Sequence, residues 1–282
     1  MNNLRLPEVT ILKDKNFHER DNNITFNAVN HRYLINNTEG FTSVTTWVHS
    51  NFEPFNSDEV IDKMMNGSNW SKSKYFGKTK DEIAQEWVNN GKESSSLGVD
   101  LHYYIELFMN QDVKKDIVKH SDLLYHYTYC SYSDFKDFVE NNPIEWGFFI
   151  NFVENNPDLV PYRSEWMVYH ENIKICGTID MVYENDDGSL TIYDWKRCKS
   201  INKYSYGKNS INPKMSNIPD CNYFHYLLQL NLYKFILETK YNKTVKACYL
   251  VKLHPNNRSK TYELLSLPKL GLNLNNLFTF EP

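Results

Sequence analysis

The stretch ICGTIDMVYENDDGSLTIYDWK, residues 175–196, decides the fold. Its first ten residues have the β-branched and aromatic content of a strand. NDDGS, residues 185–189, is a hairpin signal, because Asp-Gly accepts the positive φ that a tight turn demands. LTIYDWK then returns as a second strand. Working outward, YRSEWMVYH (162–170) alternates as a strand and ENIK (171–174) turns it back. Downstream, residues 198–221 read as a polar loop with Gly207, Pro213 and Pro219. YFHYLLQLNLYKFILETKY (223–241) reads as a helix and TVKACYLVKLH (244–254) as a last strand. Upstream, Leu97, Leu101, Ile105 and Phe108 recur at helical spacing in SSSLGVDLHYYIELFMN, which makes a buried amphipathic helix. The order helix, three strands, helix, strand predicts an α/β core with a mixed sheet.

The remainder frames that core. Residues 24–48 predict a hairpin leading into a helix. SDEVIDKMM (57–65) opens with a Ser N-cap, and TKDEIAQEWVNNG (79–91) opens on Thr79 and stops at Asn-Asn-Gly. Residues 111–160 are helical, and the twice-used FVENNP (138–143 and 152–157) reads as one stop signal serving two helices, through left-handed Asn and a proline. We therefore expect a single domain over 1–282, with a hairpin and helices at 24–96, the core at 97–110 and 161–255, and a helical insertion at 111–160.

Bulk properties narrow the function. Among 282 residues, 41% are hydrophobic, enough for one large domain or two small ones, yet no apolar run approaches the ~18 residues of a membrane span. The N-terminus lacks a signal-peptide core, so an intracellular, soluble protein is expected. The five cysteines contain no Cys-x-x-Cys pair, which argues against a zinc or iron–sulfur staple and fits a reducing compartment. A net charge of -4 disfavours nucleic-acid binding by the whole surface but permits a local basic patch.

The chemistry gathers on the two central strands. Asp194 and Lys196 share a strand face, and the short hairpin lets Asp180 meet Asp194. Two converging carboxylates repel unless a cation lies between them, and oxygen ligands suit Mg²⁺ or Mn²⁺, as one ion or two. The Lys196 ammonium would then orient a water or stabilise charge developing on a phosphate. Phosphodiester hydrolysis fits this set. An isolated Asp-x-Lys is commonly just a solvated strand edge. On the helix, His102 and Glu106 lie four apart and share a face. A helical histidine alone is more often a core residue than a ligand.

The joint order of motifs goes further. GVDLHYYIE, GTID, DWK and QLNLY, in that order, resemble the RecB-like branch of the PD-(D/E)XK nuclease superfamily. The chain is particularly similar to exonucleases of the mitochondrial genome maintenance type and to their phage and large-virus relatives. The likeness covers roughly residues 30–255, and GFTSVTTWV near the N-terminus joins it. It implies a restriction-endonuclease-like core, with His102, Asp180, Asp194 and the Trp195 carbonyl as metal ligands and Lys196 as the catalytic lysine. Gln229 and Tyr233 would touch DNA or orient Lys196. Ile179 stands where many relatives carry proline before the first acid, a change the RecB-like branch accepts. The cysteine set of the iron–sulfur relatives is missing, so no cluster is expected.

Three residues stay open at this point. Glu106 is a partner of His102, a metal-facing acid or a plain helix-surface glutamate. Glu165 reaches a second metal or lies on a solvated face. His225, four before Gln229, contacts a phosphate or packs in the interior. No acid occurs from Trp195 to Pro219, while Arg197, Lys199 and Lys203 interleave with Tyr204 and Tyr206. Cations beside aromatics suit a single strand whose bases stack, although a solvated loop reads the same way. The helical region 57–160 is expected to roof the site and admit single strands or ends. The leading expectation is a DNA exonuclease of replication, repair or recombination. The alternatives are a structure-specific or RNA-directed nuclease, and an inactive nucleic-acid-binding scaffold.

Overall fold

The computed structural model describes residues 9–205, 207–272 and 274–278. The elements are α1 (Ile11–Lys15), β1 (Ile24–Asn27), β2 (Arg32–Ile35), β3 (Thr42–Ser43), α2 (Val44–Ser50), α3 (Ser57–Met65), α4 (Lys80–Met109), α5 (His120–His126), α6 (Tyr132–Asn141), α7 (Pro143–Asn155), β4 (Val160–His170), β5 (Ile175–Glu184), β6 (Leu190–Lys196), α8 (Asn222–Lys240), β7 (Val245–Lys252), β8 (Glu263–Leu267) and α9 (Leu274–Phe278). Together they form an α/β molecule around a mixed six-stranded sheet.

β5 is the hub of that sheet. One edge pairs with β4 along its length, antiparallel. The other edge is shared: residues 175 and 176 pair with β3 in parallel, and residues 181–184 pair with β6. Between these partners, residues 177–180 are free of ladder pairing on that edge, and the sheet splits there. β6 then runs parallel to β7, and β7 antiparallel to β8. The parallel step is made possible by the α8 crossover. The hairpin between β5 and β6 turns at Gly188, φ +75°, as Asp-Gly predicts.

Each face of the sheet carries a core. On one, Trp166, Ile179 and Ile192 pack beneath Leu228, Leu232 and Ile236 of α8 and Val44 and Val48 of α2. On the other, Met181, Tyr193 and Trp195 pack beneath Leu101, Ile105 and Phe108 of α4 and Phe149 and Phe152 of α7. The sheet is thus covered on both faces by amphipathic helices.

Four local expectations are corrected. The Asn-Asn-Gly at 89–91 does not end a helix: α4 runs unbroken from Lys80 to Met109. A glycine stops a helix by taking left-handed φ, and Gly91 does not. Thr79 does cap α4, reciprocally with Glu82. Asn56 rather than Ser57 caps α3. The Asn-Asn-Pro stops work without left-handed residues, since Asn142 and Asn156 have φ near -130°. Their side-chain amides donate instead to the carbonyls of Phe138 and Phe152, four residues back, and Pro143 begins α7. Two strands, β3 and β8, were not anticipated.

Candidate metal and catalytic centre

The split in the sheet builds the site. On β4, Ser164 faces α4 and accepts a hydrogen bond from Asn110 at 2.8 Å, whereas Trp166 packs in the opposite core. On β5, Ile179 lies in the α8 core and Met181 in the α4 core. Residues two apart on a regular strand share a face, so both strands invert here. Ser164 pairs with Met181 and Trp166 with Ile179, which puts Glu165 and Asp180 opposite each other at the inversion. Glu165 takes φ +43°, a conformation that costs a non-glycine residue about 1–2 kcal/mol. That departure sends its carboxylate to the same place as that of Asp180.

His102 comes from α4, beside the stripe of Leu101, Ile105 and Phe108. Its Nε2 lies 3.0 Å from the Trp195 carbonyl oxygen. A carbonyl only accepts, so Nε2 carries the hydrogen and Nδ1 presents a lone pair. Nδ1 lies 3.6 Å from Asp180 Oδ2 and 4.0 Å from Glu165 Oε1. One ligand atom from each of the three residues falls within 4.8 Å of the others. Burial lowers the His102 pKa to about 4, helped by the Lys196 ammonium, so the ring is neutral near pH 7. Burial raises Glu165 well above the usual carboxylate range, and the Asp180 and Glu106 charges push the same way. Burial likewise raises Asp180. A lone pair and two carboxylates thus face one another, and each would gain from a shared cation.

A second group adjoins the first. Asp194 is 2% exposed; its Oδ2 lies 2.6 Å from Lys196 Nζ and its Oδ1 accepts from Gln229 Nε2 at 3.3 Å. Burial raises its pKa to about 6 against the pull of Lys196. Burial opposes charge on Lys196 too, but Asp194 and Asp180 outweigh it and hold the ammonium protonated. Lys196 is therefore a cation and not a base. Its Nζ also sits 4.9 Å from the centre of the Tyr226 ring. The Trp195 amide, released where the sheet splits, donates to Asp180 Oδ2 at 3.0 Å.

The expected ligand set is thereby divided. His102 and Asp180 come together, and Glu165 joins them. Asp194 lies outside that trio, paired with Lys196, and the Trp195 carbonyl is bonded to His102. Glu106 lines the same cleft as His102 and Glu165. Gln229 orients Asp194 rather than Lys196. Tyr233 is 3% exposed and lines one of the site's clefts with Asp180 and Gln229. A Cβ on Gly177 would meet its hydroxyl oxygen at 2.8 Å, which is why glycine stands there.

Two further candidates have partners within the protein. Arg197 donates through Nε and Nη2 to Glu145 Oε1, at 3.0 and 2.8 Å, in a largely buried pair that ties α7 to the end of β6. His225 bonds Asp220 at 3.0 Å and packs on Phe52, the interior alternative. Lys199, Lys203 and Tyr204 are exposed, which fits a binding loop and a solvated loop alike. Tyr206 lies outside the described residues.

Two clefts, of about 910 and 900 Å³, meet at His102. One is lined by Glu106, Glu165 and Lys196, the other by Asp180, Gln229 and Tyr233. Tyr33 and Thr178 line both and are joined by a 2.9 Å hydrogen bond. Of the expected roof at 57–160, only α4 from Ser95 to Glu106 contributes to the walls. The hairpin of β1 and β2, anchored to β5 by Tyr33, lines both clefts, and residues 39–49 line the second.

Sequence reasoning gave Glu165 no decided role and missed Tyr226 entirely. Tyr226 was accessible, standing three residues before Gln229 and hence beside it on the helix. No family model matches the chain, and no curated protein matches it.

Proposed function

We propose that the protein is a metal-dependent nuclease with a restriction-endonuclease-like core of the RecB-like type, acting on DNA strands with free ends inside the cell. The observation that carries this reading is the pairing of two adjacent groups: the acceptor trio His102, Glu165 and Asp180, and the Asp194–Lys196 ion pair one strand away. The trio fits Mn²⁺ or Mg²⁺, since it offers two carboxylate oxygens and one imidazole nitrogen already oriented by a carbonyl. A divalent ion held there would supply Lewis acidity toward a phosphoryl oxygen and compensate the carboxylate charge.

The chain's own groups do the rest. Lys196 offers a fixed ammonium to the charge that grows on the phosphate oxygens. Asp194 and the Tyr226 ring hold that ammonium in place, and Gln229 holds Asp194. The Trp195 carbonyl fixes the His102 tautomer. The two clefts meeting at His102 give a strand room on either side of the centre. Lys199, Lys203 and Tyr204 lie on the loop that follows Lys196 and suit the phosphates and bases of a single strand.

Labelled single-stranded DNA, linear and circular, tests the proposal in Mn²⁺. The wild type is expected to degrade the linear form faster. Lys196→Gln should lower kcat by about 10²–10³, the effect of losing one fixed transition-state donor. Degradation at equal rates by wild type and Lys196→Gln would overturn the reading.

A further inference from the structure

A cleft of about 350 Å³ lies apart from the two that meet at His102. Loop residues Lys199 and Lys203 form one wall, Asn256 and Arg258 another, and Lys252 stands between them. Ile201 and Leu265 supply apolar lining. Four cations therefore face one carboxylate, Glu263, which Lys252 already neutralises at 2.7 Å. Lys252 is 6% exposed and fixed by that pair, whereas Lys199, Lys203 and Arg258 are exposed. Lys203 has its ammonium 4.7 Å from the Tyr223 ring centre, at the start of α8.

The sheet register relates this cleft to the catalytic lysine. Lys252 on β7 is the direct partner of Lys196 on β6. Both follow the α8-facing parity of their strands, after Leu250 and Ile192, so they project from the same face. Neighbouring strands lie about 4.8 Å apart, which puts the cleft one to two strand widths, roughly 5–10 Å, beyond Lys196. It lies on the side away from Glu165 and Asp180, because β4 and β5 are on the other side of β6.

We propose that this cleft is a subsite for a backbone phosphate of the bound nucleic-acid strand, flanking the scissile position on the β7 side. The proposal rests on the nuclease reading and adds direction to it. A strand whose scissile phosphate lies at the trio runs across Lys196 and places a further phosphate between Lys199, Lys203 and Arg258. The apolar lining accommodates the attached sugar. Arg258 suits the task because its planar fork matches phosphate geometry.

The test uses the full-length protein and a fluorescent single-stranded oligonucleotide. Affinity is measured against salt in metal-free buffer, so the result does not depend on cleavage. The double variant Lys199→Gln/Arg258→Gln is expected to reduce the slope of log K against log [salt] by about one. In Mn²⁺ it should raise KM about tenfold, with kcat within about twofold of wild type. Lys246→Gln is the control. Lys246 lies at the opposite end of β7, paired with Asp187 in the hairpin turn, and its removal should leave slope and KM unchanged. An unchanged slope in the double variant, or an equal drop in Lys246→Gln, would overturn the subsite. Wild type that binds through the cleft but never cleaves would instead sink the nuclease reading and leave the subsite standing.

Discussion

At Glu165 the backbone and the chemistry meet. A left-handed glutamate in the middle of a strand is strained, and its carboxylate faces that of Asp180. Replacing it with Gln keeps the shape and removes the repulsion. Glu165→Gln should therefore be more stable than wild type without metal and gain less from it. Saturating Mn²⁺ at a hundredfold excess over Kd would stabilise the wild type by about 2.7 kcal/mol. Differential scanning calorimetry checks both parts, and an equal Tm rise in the two proteins would count against Glu165 as a ligand. Asp194 and Lys196 were legible in the sequence because they share one strand face, Asp180 because a short hairpin joins its strand to theirs, and His102 only through the joint order of motifs. Glu165 was not, because its direction depends on one φ angle that no residue pattern announces. The division of the acids into a trio and an ion pair was also hidden, since it follows from where β6 leaves β5.

Among the elements, β5 does the positioning and α8 holds it in place. Tyr233 leans on Gly177, so Gly177→Ala forces a methyl against a buried phenol. The expected cost is about 1–3 kcal/mol in chemical denaturation. Tyr233→Phe in the same chain should recover part of it, because the nearest clash is with the hydroxyl oxygen. No loss of stability in Gly177→Ala would contradict this packing. The hairpin and the strands β4 to β7 were readable from alternation and turn chemistry. Helix ends were read less well. Asn-Asn-Gly looked like a stop, but the chain beyond Gly91 is helix-competent and packs on the sheet through Leu101, Ile105 and Phe108. Tertiary burial outweighed a weak local signal. β3 and β8 are short, and β3 pairs with β5 over two residues.

The whole molecule buries several histidines, which sets its response to acid. His120 is 0% exposed and bonded to the Tyr183 hydroxyl at 2.8 Å; burial lowers its pKa to about 3. Between that value and the ordinary 6.5, the unfolded chain binds a proton that the folded chain refuses. Each such group therefore contributes a loss of stability as pH drops from about 6.5, of about 1.4 kcal/mol per pH unit, against which the raised carboxyls of Asp194 and Glu165 act. His170, lowered to about 4 by burial, adds to the slope. Urea titrations of His120→Gln from pH 4 to 6 should show a slope shallower by about one proton, and an unchanged slope would contradict the burial argument. Among the described residues no helix is long and apolar enough to cross a membrane.

The central claim is that residues from α4, β4 and β5 share one divalent ion beside Lys196. An anomalous difference map from a crystal soaked in Mn²⁺ tests it most directly. The account predicts a peak within bonding distance of His102 Nδ1 and of carboxylate oxygens from Glu165 and Asp180. A peak elsewhere, or none at saturating Mn²⁺, would contradict it.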